Sequence, residues 1–390
     1  MRYNFDEIVE RHNTGSTKWD FLDKHFGVAD ALPMWVADMD FKAPEEVINA
    51  LMKRAEHGVF GYSDRSDSYY EAVAGWMERR HGWKVEKEWL VYSPGIVPAV
   101  NWLVRALTHP GDKVVIQTPV YYPFFKAIEN NGCHIVDNPL VFEDGMYRMN
   151  LEELENKIDE RTRLMILCSP HNPVGRVWER EELIKLGELC LKHGITVIAD
   201  EIHSDLVFKE HKHTPFAAIC EEFAMNSVIC TAPSKTFNLA GLQISNMIIP
   251  NEKLREAYLI ELDNNGISNP NAFGAVATEA AYNYGWDWLE QLMEYLGSNL
   301  KYLMDFTAER LPKVKVIKPQ GTYLVWMDFR EMGLDMQELS RVILQEARVA
   351  VDDGFIFGKS GEGFVRLNIA CPRSILEEGL NRIAGALQRL

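Results

Sequence analysis

The chain has 390 residues, 47% of them hydrophobic and 25% charged, an ordinary globular balance with length for one large core and a second, smaller one. Its 41 basic and 57 acidic residues leave a net charge of -16, which argues against nucleic acid or an anionic membrane surface as the main partner. No run approaches ~18 apolar residues and residues 1–11 are polar and charged, so neither a membrane span nor a signal peptide is expected. The six cysteines, at 133, 168, 190, 220, 230 and 371, are scattered without a CxxC. They read as reduced core residues of a cytoplasmic protein.

Residues 1–43 are aromatic and Asp-rich without a sustained period, and are expected to form an N-terminal arm packing with a small domain. Pro44, a good first-turn residue, opens a helix over 44–56, and a second helix is expected over 67–80, ended by His81-Gly82. Short apolar runs then alternate with amphipathic helices. Strands are expected at 90–93, 113–117, 134–136, 164–169 and 196–199, with helices at 97–107, 123–130, 151–158 and 179–193. The last helix has Leu183, Leu186, Leu189 and Cys190 on one face and Gly194 as its cap. Two further runs, 228–231 and 243–250, read as buried strands. This rhythm predicts an α/β fold, with a large domain over 44–285 whose mostly parallel sheet is covered by helices on both faces. Beyond 285 the pattern changes to a long helix over 286–311, strands at 314–317 and 323–329, a helix over 336–348, a strand at 364–370 and a last helix from 374. Residues 286–390 therefore read as a smaller C-terminal α+β domain.

In such a sheet, ligands bind beyond the carboxyl ends of the strands. Five polar endings fall there: Ser93-Pro94-Gly95, Thr118-Pro119, Ser169-Pro170, Asp200-Glu201 and Ser234-Lys235. A lysine at the end of a buried strand is poorly hydrated, which favours its neutral, nucleophilic amine. A nucleophilic lysine points to a Schiff base, and so to pyridoxal phosphate (PLP). Asp200 ends an apolar strand and needs a partner; a pyridinium nitrogen would serve, as would a helix cap or an ion pair. Asn172, in Ser169-Pro170-His171-Asn172-Pro173-Val174-Gly175, has an amide that can donate to the phenolate oxygen of PLP, or it marks a plain turn. Gly95 and Ile96 present backbone N–H groups at a helix start, an anion site suited to a phosphate. Tyr121 can stack on a pyridine ring or simply fill a core. Arg366 is a lone arginine in an apolar strand and must have an acceptor, either a substrate carboxylate or an internal Asp or Glu. The eleven histidines form no HExxH or close cluster, so no metal site is expected. A GxSxG elbow is also lacking.

In order and spacing, these motifs resemble the fold-type-I PLP-dependent enzymes, the aspartate-aminotransferase-like superfamily, across nearly the whole chain. The stretches Met34-Trp35-Val36-Ala37-Asp38-Met39-Asp40-Phe41, Asp200-Glu201-Ile202-His203-Ser204-Asp205, His213-Thr214-Pro215-Phe216, Ala232-Pro233-Ser234-Lys235-Thr236-Phe237-Asn238-Leu239-Ala240-Gly241-Leu242-Gln243 and Cys371-Pro372-Arg373-Ser374 resemble its MalY/PatB branch. Proteins of that branch are cystathionine β-lyases, also called cysteine-S-conjugate β-lyases. The resemblance implies that Lys235 is the Schiff-base lysine and Asp200 the pyridinium partner. It further implies that Asn172 donates to the ring oxygen, Tyr121 stacks, Gly95 and Ile96 hold the phosphate, and Arg366 takes the α-carboxylate. Tyr62 resembles a tyrosine that reaches the phosphate from the other subunit of a homodimer with shared active sites. Val36 and Ala37, with Tyr62 and Arg366, are placed on the substrate side.

Departures from the aminotransferase pattern are informative. Gln243 stands where an arginine often binds the phosphate, Ala232 where a serine often stands, and His203 where a tyrosine is usual. Ser234 is therefore assigned to the phosphate and His203 to the cofactor surroundings. The implied reaction is an α,β-elimination. Lys235 removes the Cα proton, a thiolate leaves from Cβ and takes a proton from Lys235 or Tyr121, and the remainder hydrolyses to pyruvate and ammonia. With cystathionine the thiol is homocysteine. An aminotransferase would need the same lysine, aspartate and arginine; only the branch-specific stretches favour the lyase. A lyase that also binds a transcription activator is the other alternative.

Overall fold

The computed structural model describes residues 3–390; Met1 and Arg2 of the expected N-terminal arm lie outside the described residues. Seven strands make the large sheet: β1 (Leu90–Ser93), β2 (Lys113–Ile116), β3 (His134–Asp137), β4 (Thr162–Cys168), β5 (Thr196–Asp200), β6 (Ser227–Thr231) and β7 (Ser245–Ile248). Their order is β1-β7-β6-β5-β4-β2-β3. All neighbours run parallel except β7, which is antiparallel to both β1 and β6. A parallel sheet needs apolar side chains on both faces, and the strands supply them by alternation. Val114, Ile116, Leu164, Ile166, Ile198, Val228 and Met247 enter one core cluster. Val115, Met165, Leu167, Val197, Ala199, Ile229 and Ile248 enter the other.

Helices cover both faces. They include α1 (Glu45–Glu56), α2 (Asp67–His81), α3 (Ile96–Leu107), α4 (Arg180–His193), α5 (Pro233–Thr236), α6 (Glu252–Asn264), α7 (Ala272–Tyr284), α8 (Trp286–Arg310) and α9 (Arg373–Leu387). Helix α3 buries Ala99, Val100, Leu103 and Val104 in the first cluster, where α6 adds Tyr258 and Leu262. Helices α2, α4 and α8 serve the second. The second sheet is antiparallel, in the order β8 (Lys315–Ile317), β9 (Leu324–Asp328), β11 (Phe364–Asn368), β10 (Asp352–Asp353). The N-terminal segment joins this sheet's surroundings: Leu32–Pro33 pairs in parallel with Val349–Ala350. Asn368 Nδ2 donates to the carbonyl oxygens of Val36 at 2.8 Å and Asp38 at 2.7 Å. No helix among the described residues is long and apolar enough to cross a membrane.

Several elements differ from the sequence reading. Helices α6 and α7 are additional to it. Alanine-rich α7 packs against both α1 and α2, so it lacks the polar face that makes a helix legible. The helix expected over 336–348 is α-helical only at Met336–Arg341 and continues as a π-helical turn, Val342–Glu346. Lys235 lies beyond the end of β6, as expected. It lies inside the short helix α5, which Pro233 opens.

Candidate active site

The carboxyl ends of β5 and β6, the start of α3 and the segment over 34–39 meet at one cavity. Lys235, Asp200, Asn172, Tyr121, His203, Ser234, Ile96 and Ala37 all line it. A larger cavity, of about 670 Å³, lies elsewhere, between Arg80, His81, His211, His213, Glu290 and Glu294. The smaller cavity brings a lysine, an aspartate, a histidine and a tyrosine, all with shifted acidity, to one place, which makes it the candidate chemical site.

Lys235 is half-buried against this cavity, and its Nζ donates to the Ala37 carbonyl oxygen at 2.6 Å. Burial, assisted by the nearby Arg366 charge, pulls the amine down to about 8, while Asp38 and Asp200 resist. About a tenth of the amine is thus neutral and nucleophilic at pH 7. Asp200 is the last residue of β5. Its carboxylate accepts from the Ile202 N–H at 3.2 Å, and burial pushes it up to about 7. It therefore lacks a close cation, although Lys235 acts on it through the field.

Asn172 is buried, and its Oδ1 accepts from Arg366 Nη1 at 2.9 Å. That bond leaves its Nδ2 as the group facing the cavity. The loop is held by Gly175, at φ 72°, where a Cβ would lie 2.5 Å from Pro319; only glycine fits. The Gly175 carbonyl accepts from the Gln320 and Gly321 N–H groups, tying the loop to the segment that leads into β9. Tyr121 stays protonated because burial raises its phenol. His203 is buried and its Nδ1 has no partner. Burial first, then Lys235 and Arg366, lowers its ring to about 3, so it is neutral. Gly95 is the extended residue preceding α3, and Ile96 is the helix's first residue. The free N–H groups of this 12-residue helix start at the cavity edge.

Three expected residues are placed differently. Arg366 is buried, but it does not wait for a ligand with an empty guanidinium: its Nη2 forms an ion pair with Asp352 and donates to the Trp35 carbonyl at 3.2 Å. An internal carboxylate thus partners the guanidinium. Val36 packs in a separate cluster around Trp35, and it is its carbonyl, not its side chain, that is fixed by Asn368. Tyr62 is fully exposed, away from the cavity of its own chain.

The structure adds roles that the motifs did not disclose. Tyr323 is fully buried and donates from its hydroxyl to the Ala37 carbonyl at 3.0 Å, beside Lys235. Its signal was hidden, because a tyrosine opening an apolar strand reads as core. Asp205 accepts from Trp76 Nε1 at 3.0 Å and Thr236 Oγ1 at 2.7 Å, and bonds to His81 Nε2 at 2.9 Å. These partners outweigh burial and hold its carboxyl below the usual range. Thr236 directly follows Lys235, so Asp205 anchors the helix that carries the amine. Thr236→Val, which removes one donor from a buried carboxylate at nearly constant volume, is expected to lower unfolding stability by about 1–3 kcal/mol. Urea denaturation measures this, and an unchanged midpoint would contradict the anchoring role.

The model for aminotransferase class I and II matches residues 30–383. The chain belongs to this family. It is 51% identical over 385 residues to cystathionine beta-lyase PatB of Bacillus subtilis, covering 98% of this chain and all of the relative. It is 37% identical to Protein MalY of Escherichia coli, over 99% of both chains. The PLP-bound C-S lyase from Staphylococcus hominis superposes with a TM-score of 0.93 at 35% identity, covering 99% of this chain and 98% of that one. The chain is thus a class I and II aminotransferase-family protein of the MalY/PatB branch, with fold type I.

The residues present fit a pyridoxal phosphate. The buried carboxylate of Asp200, without a close cation, suits a protonated ring nitrogen. The free Nδ2 of Asn172 suits a ring oxygen. For the phosphate, the cavity offers the start of α3, Ser234, Gln243 and Ser245, with no arginine in its lining.

Proposed function

We propose that this protein is a PLP-dependent carbon–sulfur β-lyase. It converts L-cystathionine or related cysteine S-conjugates, with one water, to a thiol, pyruvate and ammonia; the thiol from cystathionine is homocysteine. The observation that carries the reading is that Lys235 and the buried Asp200 line one cavity with Asn172, Tyr121 and the start of α3, in a chain 51% identical to a cystathionine beta-lyase over its length.

Bound in this cavity, PLP supplies an electron sink that acidifies the substrate's Cα–H and lets a β-thiolate depart. The chain's own groups do the rest. Neutral Lys235 Nζ, freed from the Ala37 carbonyl, takes the Cα proton. Asp200 holds a proton at the ring nitrogen, and Asn172 Nδ2 donates to the ring oxygen. Tyr121, in the cavity lining, would pack against the cofactor and, with Lys235, can return a proton to the leaving sulfur; its raised phenol keeps that proton available. Backbone N–H groups of Gly95 and Ile96, with Ser234, hold the phosphate. Neutral His203, whose Nδ1 has no partner among the described residues, lines the same cavity and would adjoin the cofactor. Arg366 takes the α-carboxylate, and Ala37 and Val36 belong to the wall that bounds the substrate.

The same reading takes residues 1–43 as an arm on the small domain, 44–285 as the cofactor domain and 286–390 as the small domain. It also takes the active unit to be a homodimer in which Tyr62 serves the partner's site. The full exposure of Tyr62 supports this. A cytoplasmic location goes with the six unpaired cysteines. An aminotransferase is not favoured, since the lyase-named relative matches at 51% identity over its full length. No feature of the fold favours a regulatory protein partner. Incubating the protein with cystathionine and following pyruvate and free thiol tests the proposal. Equimolar release of both is expected; keto-acid formation without thiol would overturn it. A panel of cystathionine, cystine and S-alkyl cysteines then ranks the substrates.

A further inference from the structure

Arg366 and Asp352 face each other as register partners on β11 and β10. Both are buried, at 2% and 7% exposure. The guanidinium is committed on three sides: to Asn172 Oδ1, to the Trp35 carbonyl and to the Asp352 carboxylate. Its face lies 4.8 Å from the centre of the Phe357 ring. Its Nε is buried without a partner. One donor of the guanidinium is therefore unsatisfied among the described residues, while its charge is already compensated by Asp352.

We propose that Asp352 is an internal stand-in for the substrate's α-carboxylate. It keeps the buried guanidinium compensated while no substrate is bound, and it then shares the cation with the incoming carboxylate. Two carboxylates on one cation repel each other, so Asp352 weakens substrate binding and favours release. This makes Asp352 a positioning and affinity-limiting residue. The inference rests on reading Arg366 as the carboxylate-binding residue.

The test measures inhibition of the holoenzyme's thiol release by two probes. L-Alanine has the carboxylate but no β leaving group, and ethylamine is the same amine without the carboxylate. Arg366→Leu should weaken L-alanine by about a hundredfold and leave ethylamine unchanged; no change for L-alanine would overturn the reading of Arg366 itself. If that variant behaves as expected, Asp352→Asn should tighten L-alanine by about tenfold and leave ethylamine unchanged. Unchanged or weaker L-alanine binding in Asp352→Asn would overturn the role of Asp352 alone. L-Alanine should also raise the thermal midpoint of Asp352→Asn by more than it raises that of the parent, a readout independent of turnover. If Asp352→Asn yields no folded protein, recovery of folded Asp352→Asn/Arg366→Leu supports the compensation role, and failure of both overturns it.

Discussion

Lys235→Ala is expected to lower thiol release from cystathionine by at least about 10⁴-fold and to abolish the visible absorbance of bound cofactor. The amine is the group in the cavity whose acidity, at about 8, makes it available as a neutral base near physiological pH. Alanine offers neither a nucleophile nor a base. The fold should tolerate the change. Lys235 contributes one hydrogen bond, to the Ala37 carbonyl, and that oxygen keeps its second donor, the Tyr323 hydroxyl at 3.0 Å. Removing a desolvated amine also relieves a burial cost. Activity and stability should therefore separate: turnover collapses while the unfolding free energy from urea denaturation stays within about 0.5 kcal/mol of the parent. In the parent, the proton-abstraction rate should rise with pH through about 8, as the amine loses its proton. A yellow, active Lys235→Ala protein would refute the proposed function at its centre.

Asp200→Asn should reduce turnover by about 10²- to 10³-fold, because an amide cannot hold a proton at a ring nitrogen as a carboxylate does. It should also change how the cofactor-free protein responds to pH. Burial raises the Asp200 carboxyl from 3.8 to about 7. The folded state thus binds its proton more tightly than the unfolded chain does. The associated stability is fully present below about pH 4 and is lost as pH rises through about 7. Over that window the cofactor-free parent should lose up to about 4 kcal/mol from this group, and Asp200→Asn should not. Urea midpoints of the two cofactor-free proteins at pH 5 and 8 measure the difference. Equal pH dependence would mean that Asp200 is not a strained carboxylate. Adding the cofactor should restore the parent at pH 8, because a cation on the ring nitrogen then compensates the charge.

The residues that became legible from sequence are those whose type conflicts with their surroundings. Lys235 and Asp200 are charged groups at the ends of apolar runs, and Asn172 sits between two prolines in a loop that directly follows a buried strand. Each conflict carries an energetic cost that a site can explain, so each could be read without coordinates. Tyr323 and Thr236 show no such conflict. A tyrosine or threonine in apolar company is ordinary, and its hydrogen-bond partner lies far away in sequence: 286 residues separate Tyr323 from Ala37. Asp352 was hidden for a related reason. It pairs with Arg366 across two strands of the small sheet, and a strand of two residues, Asp352–Asp353, leaves no period to detect.

The alternation of apolar runs and helices between 90 and 246 determined the parallel sheet, because only a sheet covered on both faces accommodates strands without a polar side. The same rhythm placed the polar strand ends together on one edge. Family membership followed from the order of those motifs. What only the tertiary structure decided is how the segment over 34–38 closes the site. Its main-chain oxygens receive Lys235, Tyr323, Arg366 and Asn368. Carbonyl groups are the same in every residue, so the sequence holds no mark of which ones are used. Packing also decided that Arg366 has a buried counter-charge, since the pairing depends on strand register, which local sequence does not specify.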